Sequence, residues 1–260
     1  MSTALLSGAE LAGQVALVTG SARNIGRAIA EELARAGAAV MVTARTAQPE
    51  AEAVAAGIRA VGGHAAALLA DVADPDAVAA LVSETVARFG RIDILVNNAS
   101  VRREVPFAAL DYREWRQVLA TTLDGAYLCS HAVLPHLVAA GGGSIVNIGG
   151  LSSFTGAANR AHVIAAKAGL AGLTRALAHD LAPHRITVNC VAPGVIDTIR
   201  RDPSGAGPGK EPSHHAVHVP LTGRKGRPEE IAALVRFLCG PGARYVTGQS
   251  IHANGGVFMA

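Results

Sequence analysis

The chain has 260 residues, of which 50% are hydrophobic and 17% charged, enough apolar material for one large core. Its formal net charge of +3 is small, and its basic residues are scattered apart from pairs such as Arg102-Arg103 and Arg200-Arg201. This excludes the basic stripe that nucleic-acid-binding proteins carry. The segment Met1 to Gln14 lacks a basic start and a long apolar run, so it predicts neither a secretory signal nor a membrane span. We expect one soluble, cytoplasmic domain.

Short apolar runs alternate along the chain with longer alanine-rich stretches of helical period. This alternation predicts repeated βα units around a buried parallel sheet. Right-handed crossovers would make this an α/β, Rossmann-type, doubly wound seven-stranded parallel sheet, with its ligand at the carboxyl ends of the strands. The predicted strands are Val15 to Thr19, Ala39 to Ala44, Ala65 to Ala70, Ile92 to Asn97, Ser144 to Ile148, Ile186 to Val191 and Gln249 to His252. The predicted helices are Gly26 to Ala36, Glu50 to Val61, Pro75 to Phe89, Tyr112 to Ala139, Ala158 to Leu181 and Pro228 to Leu238.

One stretch interrupts this rhythm. Asp197 to Gly223 contains four prolines, four glycines and three histidines and has no helical or strand period. Irregular segments of this length inside a compact domain often act as lids. We expect a substrate lid here, within a single domain that spans residues 1–260.

The three cysteines are widely spaced and flanked by apolar residues. This pattern favours buried, reduced thiols over a disulfide framework or a metal site, and we expect no metal. The cysteines are Cys129, Cys190 and Cys239.

A glycine turn directly follows the first predicted strand, in the run from Thr19 to Ala28. Such a turn opens a helix, so its backbone N–H groups and the positive end of the helix dipole can bind a pyrophosphate. Between Gly20 and Gly26 the turn has Asn24 where a middle glycine would be expected. Asparagine tolerates the left-handed backbone well, and its amide can also reach phosphates.

The turn and several later motifs resemble the short-chain dehydrogenase/reductase family, in particular 3-oxoacyl-ACP reductases. The resemblance covers essentially the whole chain, because the motifs occur in the family's order. They are Thr19-Gly20 with Asn24-Ile25-Gly26, Asp71-Val72, Asn97-Asn98-Ala99-Ser100, Lys167-Ala168-Gly169, Asn189-Cys190-Val191-Ala192-Pro193-Gly194 and Asn254-Gly255-Gly256.

The resemblance implies a nicotinamide cofactor and a role for each matching position. Asp71 and Val72 would hold the adenine, Asn98 and Ala99 would line the ribose and nicotinamide side, and Lys167 would bind the nicotinamide ribose. Four residues after the sixth strand would face the carboxamide: Pro193, Gly194, Ile196 and Thr198.

The residue at the end of the second strand separates NAD from NADP, since a carboxylate there binds a ribose 2′-hydroxyl and an arginine pairs with a 2′-phosphate. This strand ends Thr43-Ala44-Arg45, with no acid, and Arg23 in the glycine turn supplies a second cation. The sequence therefore predicts NADP(H) in preference to NAD(H).

The catalytic positions depart from the family pattern. The resemblance implies a tyrosine acid activated by a lysine, a serine that positions the carbonyl and an asparagine that holds a relay water. Lys167 is present, but Val163 stands at the tyrosine, Gly150 at the serine and Thr122 at the asparagine. Valine cannot donate a proton and glycine has no side chain, so the usual proton donor is missing.

Other residues can stand in. His162 precedes the tyrosine position and titrates near neutrality, although adjacent helical residues point about 100° apart. Ser152 and Ser153 follow the missing serine and can hold a carbonyl. The lid histidines His214, His215 and His218, or an ordered water, are further sources of a proton.

Three hypotheses remain open. The first is an NADP(H)-dependent oxidoreductase that acts on a carbonyl or alcohol with a noncanonical proton donor, among whose catalytic residues are Lys167, His162 and Ser152. The second is a cofactor-binding dehydratase or isomerase, and the third is an inactive regulatory subunit.

The long helices Tyr112 to Ala139 and Ala158 to Leu181 are apolar on more than one face, and in the family they form a dimer face. We expect a homodimer or homotetramer.

Overall fold

The computed structural model describes residues 8–199 and 211–259, which form one seven-stranded parallel sheet. The strand order is β3-β2-β1-β4-β5-β6-β7, so β1 lies at the point where the chain reverses its direction across the sheet. This confirms the predicted doubly wound α/β architecture. The strands are β1 (Val15–Val18), β2 (Ala39–Ala44), β3 (Ala65–Leu69), β4 (Ile94–Asn97), β5 (Gly143–Ile148), β6 (Ile186–Pro193) and β7 (Ser250–Ala253).

The helices cover both faces of the sheet and divide the core into two apolar clusters. In β1, Ala16 and Val18 face the cluster that contains α1, α2 and α8, while Leu17 faces the cluster beneath α3, α5 and α7. Alternate residues therefore serve opposite faces, as the period of a strand requires. The helices are α1 (Asn24–Arg35), α2 (Gln48–Ala60), α3 (Pro75–Phe89), α4 (Tyr112–Leu119), α5 (Gly125–Ala139), α6 (Ser152–Thr155), α7 (Ala161–Leu181) and α8 (Pro228–Cys239).

Three of the predicted helices differ from the structure by one or two residues at one or both ends, and two differ in a larger way. The predicted helix Tyr112 to Ala139 is divided by a π turn at Ala120–Asp124, and Gly125, which follows this turn, lies close to Val72 after β3. A β-carbon on Gly125 would lie 2.8 Å from Val72 Cγ2. The predicted helix Ala158 to Leu181 begins only at Ala161, because Asn159 has a φ of 60° and cannot belong to a right-handed helix.

The carboxyl ends of β1, β4, β5 and β6 lie side by side, and a buried polar chain fixes α7 against them. Asn97 at the end of β4 donates to Asn147 Oδ1 of β5 at 2.9 Å, and Asn147 donates to Thr174 Oγ1 of α7 at 2.9 Å. Buried amide groups must be paired, so this chain sets the position of α7 on the sheet. The helix that carries Lys167 is thereby held beside the end of β5.

The cysteines are free and buried as predicted, and burial raises the pKa of the Cys129 and Cys239 thiols to about 12. In residues 8–199 and 211–259 no cluster of side chains is suited to a metal ion, and no helix is long and apolar enough to cross a membrane. Of the predicted lid, residues 200–210, including Arg200 and Arg201, lie outside the described residues.

Candidate active site

One cavity of about 310 Å³ lies at the carboxyl ends of the strands. This is where ligands bind in doubly wound sheets. All residues predicted from the sequence to bind the cofactor line this cavity: Gly20, Arg23, Asn24, Ile25, Gly26, Arg45, Asp71, Val72, Asn98, Ala99, Lys167, Pro193, Gly194, Ile196 and Thr198. The fold therefore brings together residues that are far apart in the sequence, with 178 positions between the numbers of Gly20 and Thr198.

The glycine turn is braced by the residue that follows β4. Asn98 donates from Nδ2 to the carbonyls of Thr19 and Gly20, each at 2.9 Å. A β-carbon on Gly26 would lie 2.4 Å from both Asn98 Nδ2 and Gly20 O, so only glycine fits there. Because α1 begins inside the cavity, the unpaired N–H groups of its first turn face the space that an anionic ligand would occupy.

Asn24 has the left-handed backbone that its residue type predicts, with a φ of 53°. Its amide, however, does not point to a phosphate position. The amide donates to Ile199 O and accepts from Ile199 N, both at 3.0 Å. The expected contact to phosphates is thus replaced by a two-bond link between the glycine turn and the start of the predicted lid.

Two arginines stand at the end of the cavity where the sequence predicts adenine, which is called the adenine end below. Arg45 directly follows β2, and its Nη1 lies 4.0 Å from Asp71 Oδ2, with both side chains about half exposed. Arg23 is exposed at the N-cap of α1. This end of the cavity therefore carries positive charge where a phosphate group of a ligand could reach it.

Lys167 lies at the opposite, inner end of the cavity on α7. Its Nζ donates to the carbonyls of Ile148 and Gly149, each at 2.8 Å, at the point where β5 ends. Burial lowers the pKa of Lys167 to about 7, and the positive charges of Arg102 and Arg160 contribute to the shift. A lysine that exchanges its proton near neutral pH is suited to acid–base work.

Three residues that the sequence analysis assigned to the family's tyrosine, serine and asparagine positions are all close to Lys167 or its helix: Val163, Gly150 and Thr122. Val163 is buried against Val118 and Ala166 and does not line the cavity. Gly150 does line it, and a β-carbon there would lie 3.3 Å from Lys167 Cδ. Thr122, within the π turn, is buried with its Oγ1 3.1 Å from Ser100 Oγ. A side chain at position 150 would therefore lie beside the lysine.

The structure places His162 away from the cavity. Its side chain is fully buried and turned to α4, with Nε2 3.8 Å from Glu114 Oε1. Burial lowers the pKa of His162, which favours the neutral ring at pH 7. Because successive helical residues point about 100° apart, His162 and Lys167 face different sides of α7. The expectation that His162 supplies the proton finds no support in this geometry.

The other predicted stand-ins lie at the cavity. Ser152 is buried at the start of α6 and lines the cavity, whereas Ser153 Oγ donates to Gly150 O at 2.6 Å. The three lid histidines also line it. Burial, together with the charge of Arg160, lowers the pKa of His214 to about 4, so this ring is neutral at pH 7 and a weak acid.

Sequence reasoning missed Arg160 and Arg102, both of which line the cavity. Arg160 is the N-cap residue of α7 and is 5% exposed. It lies outside the helical repeat, so no periodic signal in the sequence identifies it.

Comparison with known proteins places the chain among oxidoreductases. A family model described as Enoyl-(Acyl carrier protein) reductase matches residues 20–258. The 3-oxoacyl-[acyl-carrier-protein] reductase of Synechocystis sp. is 40% identical over 96% of this chain and 98% of its own length. The corresponding reductase of Pseudomonas aeruginosa is 43% identical, over 96% and 99%.

Solved structures give the same result. A dehydrogenase/reductase from Sinorhizobium meliloti has a TM-score of 0.90 at 36% identity, with 99% of this chain and 100% of that one covered. A short-chain dehydrogenase from Burkholderia cenocepacia, solved in complex with NADP, has a TM-score of 0.86 at 36% identity, with 95% and 99% covered.

The lowered pKa of Lys167 predicts a pH-dependent stability. The unfolded chain holds this proton up to about pH 10.5, whereas the folded chain releases it above about pH 7. Unfolding therefore takes up a proton between these values, and the free energy of unfolding rises with pH by about 1.4 kcal/mol per unit. In the Lys167→Met variant this rise should be absent, so its stability relative to wild type is greatest below pH 7.

Urea denaturation of the cofactor-free protein from pH 6 to pH 10 measures the difference. Lys225→Met is the matched control, because Lys225 is exposed and pairs with Glu211 at the surface. Its stability should follow that of the wild type at every pH. Parallel curves for wild type and Lys167→Met would contradict the buried, shifted lysine.

Proposed function

The chain belongs to the short-chain dehydrogenase/reductase family, and from this we propose that it is an NADP(H)-dependent oxidoreductase that interconverts a carbonyl and an alcohol. The observation that carries the proposal is the single cavity that joins the glycine turn at one end to the buried Lys167 at the other. The glycine turn can bind the pyrophosphate of a dinucleotide. Hydride transfer to a carbonyl needs a hydrogen-bond donor such as Lys167 for the negative charge that develops on the oxygen. The named reductases among its relatives support the same reaction class.

The residues that would hold the cofactor are those predicted from the sequence. The glycine turn and the first turn of α1 would bind the pyrophosphate, and the close approach at Gly26 keeps that backbone accessible. Asp71 and Val72 would bind the adenine, Asn98 and Ala99 the ribose, and Pro193, Gly194, Ile196 and Thr198 the carboxamide. When bound, NADPH supplies the hydride.

We assign the choice of NADP(H) over NAD(H) to Arg45 and Arg23. Both are cationic, both line the adenine end, and no acid follows β2 directly. The Burkholderia cenocepacia relative that was solved with NADP supports this choice.

Arg45→Ala should weaken NADPH binding by about 10- to 100-fold and NADH binding little, because a charge-assisted hydrogen bond contributes about 1.5–3 kcal/mol. Fluorescence titration with each cofactor measures both affinities. Arg59→Ala is the control, since Arg59 is a half-exposed residue of α2 that pairs with Glu52 outside the cavity. Equal losses for NADPH and NADH in Arg45→Ala would exclude recognition of the 2′-phosphate by this residue.

For the proton we propose Lys167 itself. Its ammonium has three hydrogens, of which two bind the carbonyls of Ile148 and Gly149, and the third has no acceptor among the described residues. As hydride reaches the carbonyl carbon, the ammonium would stabilise the negative charge on the oxygen and then donate a proton to it. In the reverse direction the neutral amine would accept the proton. Ser152 would contact the substrate.

The test is NADPH consumption by the purified protein with ketones, β-ketoesters, diketones and quinones. With an accepted substrate, kcat for reduction should fall above about pH 7, because the donor loses its proton there. Lys167→Ala should lower kcat by about 10²–10⁴-fold, and added methylamine should restore part of it. A role in ribose binding alone would change the KM for NADPH and leave the pH profile of kcat unmoved.

His162→Gln is the comparison variant and should retain its turnover. If this variant is folded and inactive while Lys167→Ala is active, the proton comes from His162. If NADPH binds and no substrate is consumed, the proposal fails, and a dehydratase, isomerase or regulatory subunit takes its place.

We also propose that the chain forms a homodimer or homotetramer. The α4 and α5 helices leave large side chains in solvent, with Tyr112 76% and Tyr127 51% exposed. Exposed aromatic side chains on neighbouring helices are typical of a subunit interface.

Sedimentation of the wild type should give the mass of two or four chains over a wide range of concentration. Tyr127→Glu should shift the mass toward the monomer, because it places a charge in the interface. Val61→Glu, at a still more exposed apolar residue at the end of α2, should leave the mass unchanged. A monomer at the highest concentration would rule the assembly out.

A further inference from the structure

The Lys167 side chain ends in a buried amine whose two hydrogen-bond partners are both backbone carbonyls. Its Nζ donates to Ile148 O and to Gly149 O, each at 2.8 Å, and among the described residues no carboxylate pairs with this nitrogen. A buried lysine without an opposite charge beside it favours its neutral form, because burial penalises the charged one. The side chain is 6% exposed, and burial lowers the pKa of Lys167 to about 7. Much of the protein therefore carries a neutral amine here at pH 7 and above.

The two carbonyls determine where the lone pair of this amine lies. A neutral amine has two hydrogens and one lone pair, and the carbonyls of Ile148 and Gly149 accept both hydrogens. These carbonyls belong to consecutive residues at the end of β5, so both hydrogens are directed at the end of that strand. The nitrogen is tetrahedral, and its lone pair is therefore directed away from the strand.

The space beside the Lys167 side chain is open to the cavity. Lys167 itself lines the cavity of about 310 Å³. Gly150 has no side chain, and a β-carbon at this position would lie 3.3 Å from Lys167 Cδ and 3.9 Å from Cε. Val163, one turn earlier on α7, packs against Val118 and Ala166 and does not line the cavity. Neither position 150 nor position 163 therefore places a side chain between the amine and a small molecule in the cavity.

We propose that Lys167 is also a nucleophile, which forms an imine with small aldehydes that enter the cavity of the cofactor-free protein. Lysines that are desolvated in buried pockets react with carbonyl compounds in this way. The reaction uses the lone pair of the neutral amine, whereas the proposed hydride chemistry uses the third hydrogen of the ammonium. It needs no NADPH, so this second activity of the same nitrogen does not rest on the proposed reductase.

The reaction is a condensation with loss of water. The lone pair of Lys167 Nζ adds to the aldehyde carbon, and the electron pair of the C=O double bond moves to the oxygen. This oxygen takes one proton from the nitrogen and one from solvent and leaves as water, while the nitrogen forms the C=N bond. The protonated imine keeps one N–H, which can still donate to one of the two carbonyls. No oxidant or reductant is consumed.

Reductive trapping measures the imine directly. The cofactor-free protein is treated with butanal and sodium cyanoborohydride at pH 7, and peptide mass mapping identifies the lysines that have gained a butyl group. The sequence has three lysines, Lys167, Lys210 and Lys225. Lys167 should be labelled at least about tenfold faster than Lys225, because only the neutral amine reacts. Lys225 is the internal reference, since it is partly exposed and pairs with Glu211 at 2.5 Å.

The difference between the two lysines should depend on the fold. In urea that unfolds the protein, Lys167 and Lys225 should be labelled at similar rates, because the burial of Lys167 is then lost. Lys167→Met should abolish the fast label. Lys225→Met is the matched control and should leave it unchanged. The comparison within the wild-type protein requires no variant, so it stands even if Lys167→Met does not fold.

Two results would overturn the proposal. The first is labelling of Lys167 in the folded protein at or below the rate of Lys225, and the second is a preference for Lys167 that persists in urea. Because the reaction contains no NADPH, both results leave the proposed reductase untouched. Selective labelling of Lys167 in a protein that oxidises NADPH with no substrate rejects the reductase and supports the nucleophile.

Discussion

The hydrogen bonds from the Lys167 ammonium to the carbonyls of Ile148 and Gly149 join α7 to the end of β5, and the inner end of the cavity is built around them. They bring a charged group into a buried place, which is costly unless its hydrogens are bound. Behind them, the buried chain through Asn97, Asn147 and Thr174 fixes the same helix to the same strands. Together these contacts hold the lysine where the glycine turn and the β6 loop also converge.

The local sequence around this lysine is consistent with its conformation. Gly150 leaves free the space where a β-carbon would approach Lys167 Cδ to 3.3 Å, and Val163 turns into a small apolar cluster with Val118 and Ala166. Neither residue places a hydroxyl at the cavity. In the proposed reaction the lysine therefore takes over a role that a tyrosine supported by lysine has in the family, and its low pKa follows from burial and from the neighbouring arginines.

Arg45 and Arg23 place positive charge at the adenine end of the cavity, where they would bind a phosphate of the cofactor. Preorganised charges of this kind bind and orient their ligands with little rearrangement. A cofactor held in this way would place its reacting atoms near Lys167, which lies at the inner end of the cavity.

The sequence by itself determined the sheet, most of the helices and the set of residues around the cavity, because burial on both faces and glycine turns leave periodic, local signals. It also led to the prediction, which remains untested, that Val163 and Gly150 stand at the family's tyrosine and serine positions. Contacts between distant segments were decided only by the tertiary structure: the amide of Asn24 binds Ile199, His162 faces Glu114, and Arg160 reaches the cavity. The side on which a helical residue lies depends on where its helix starts, and the left-handed Asn159 sets that start for α7. The pKa of Lys167 was likewise beyond the sequence, since it arises from burial and from charges on other segments.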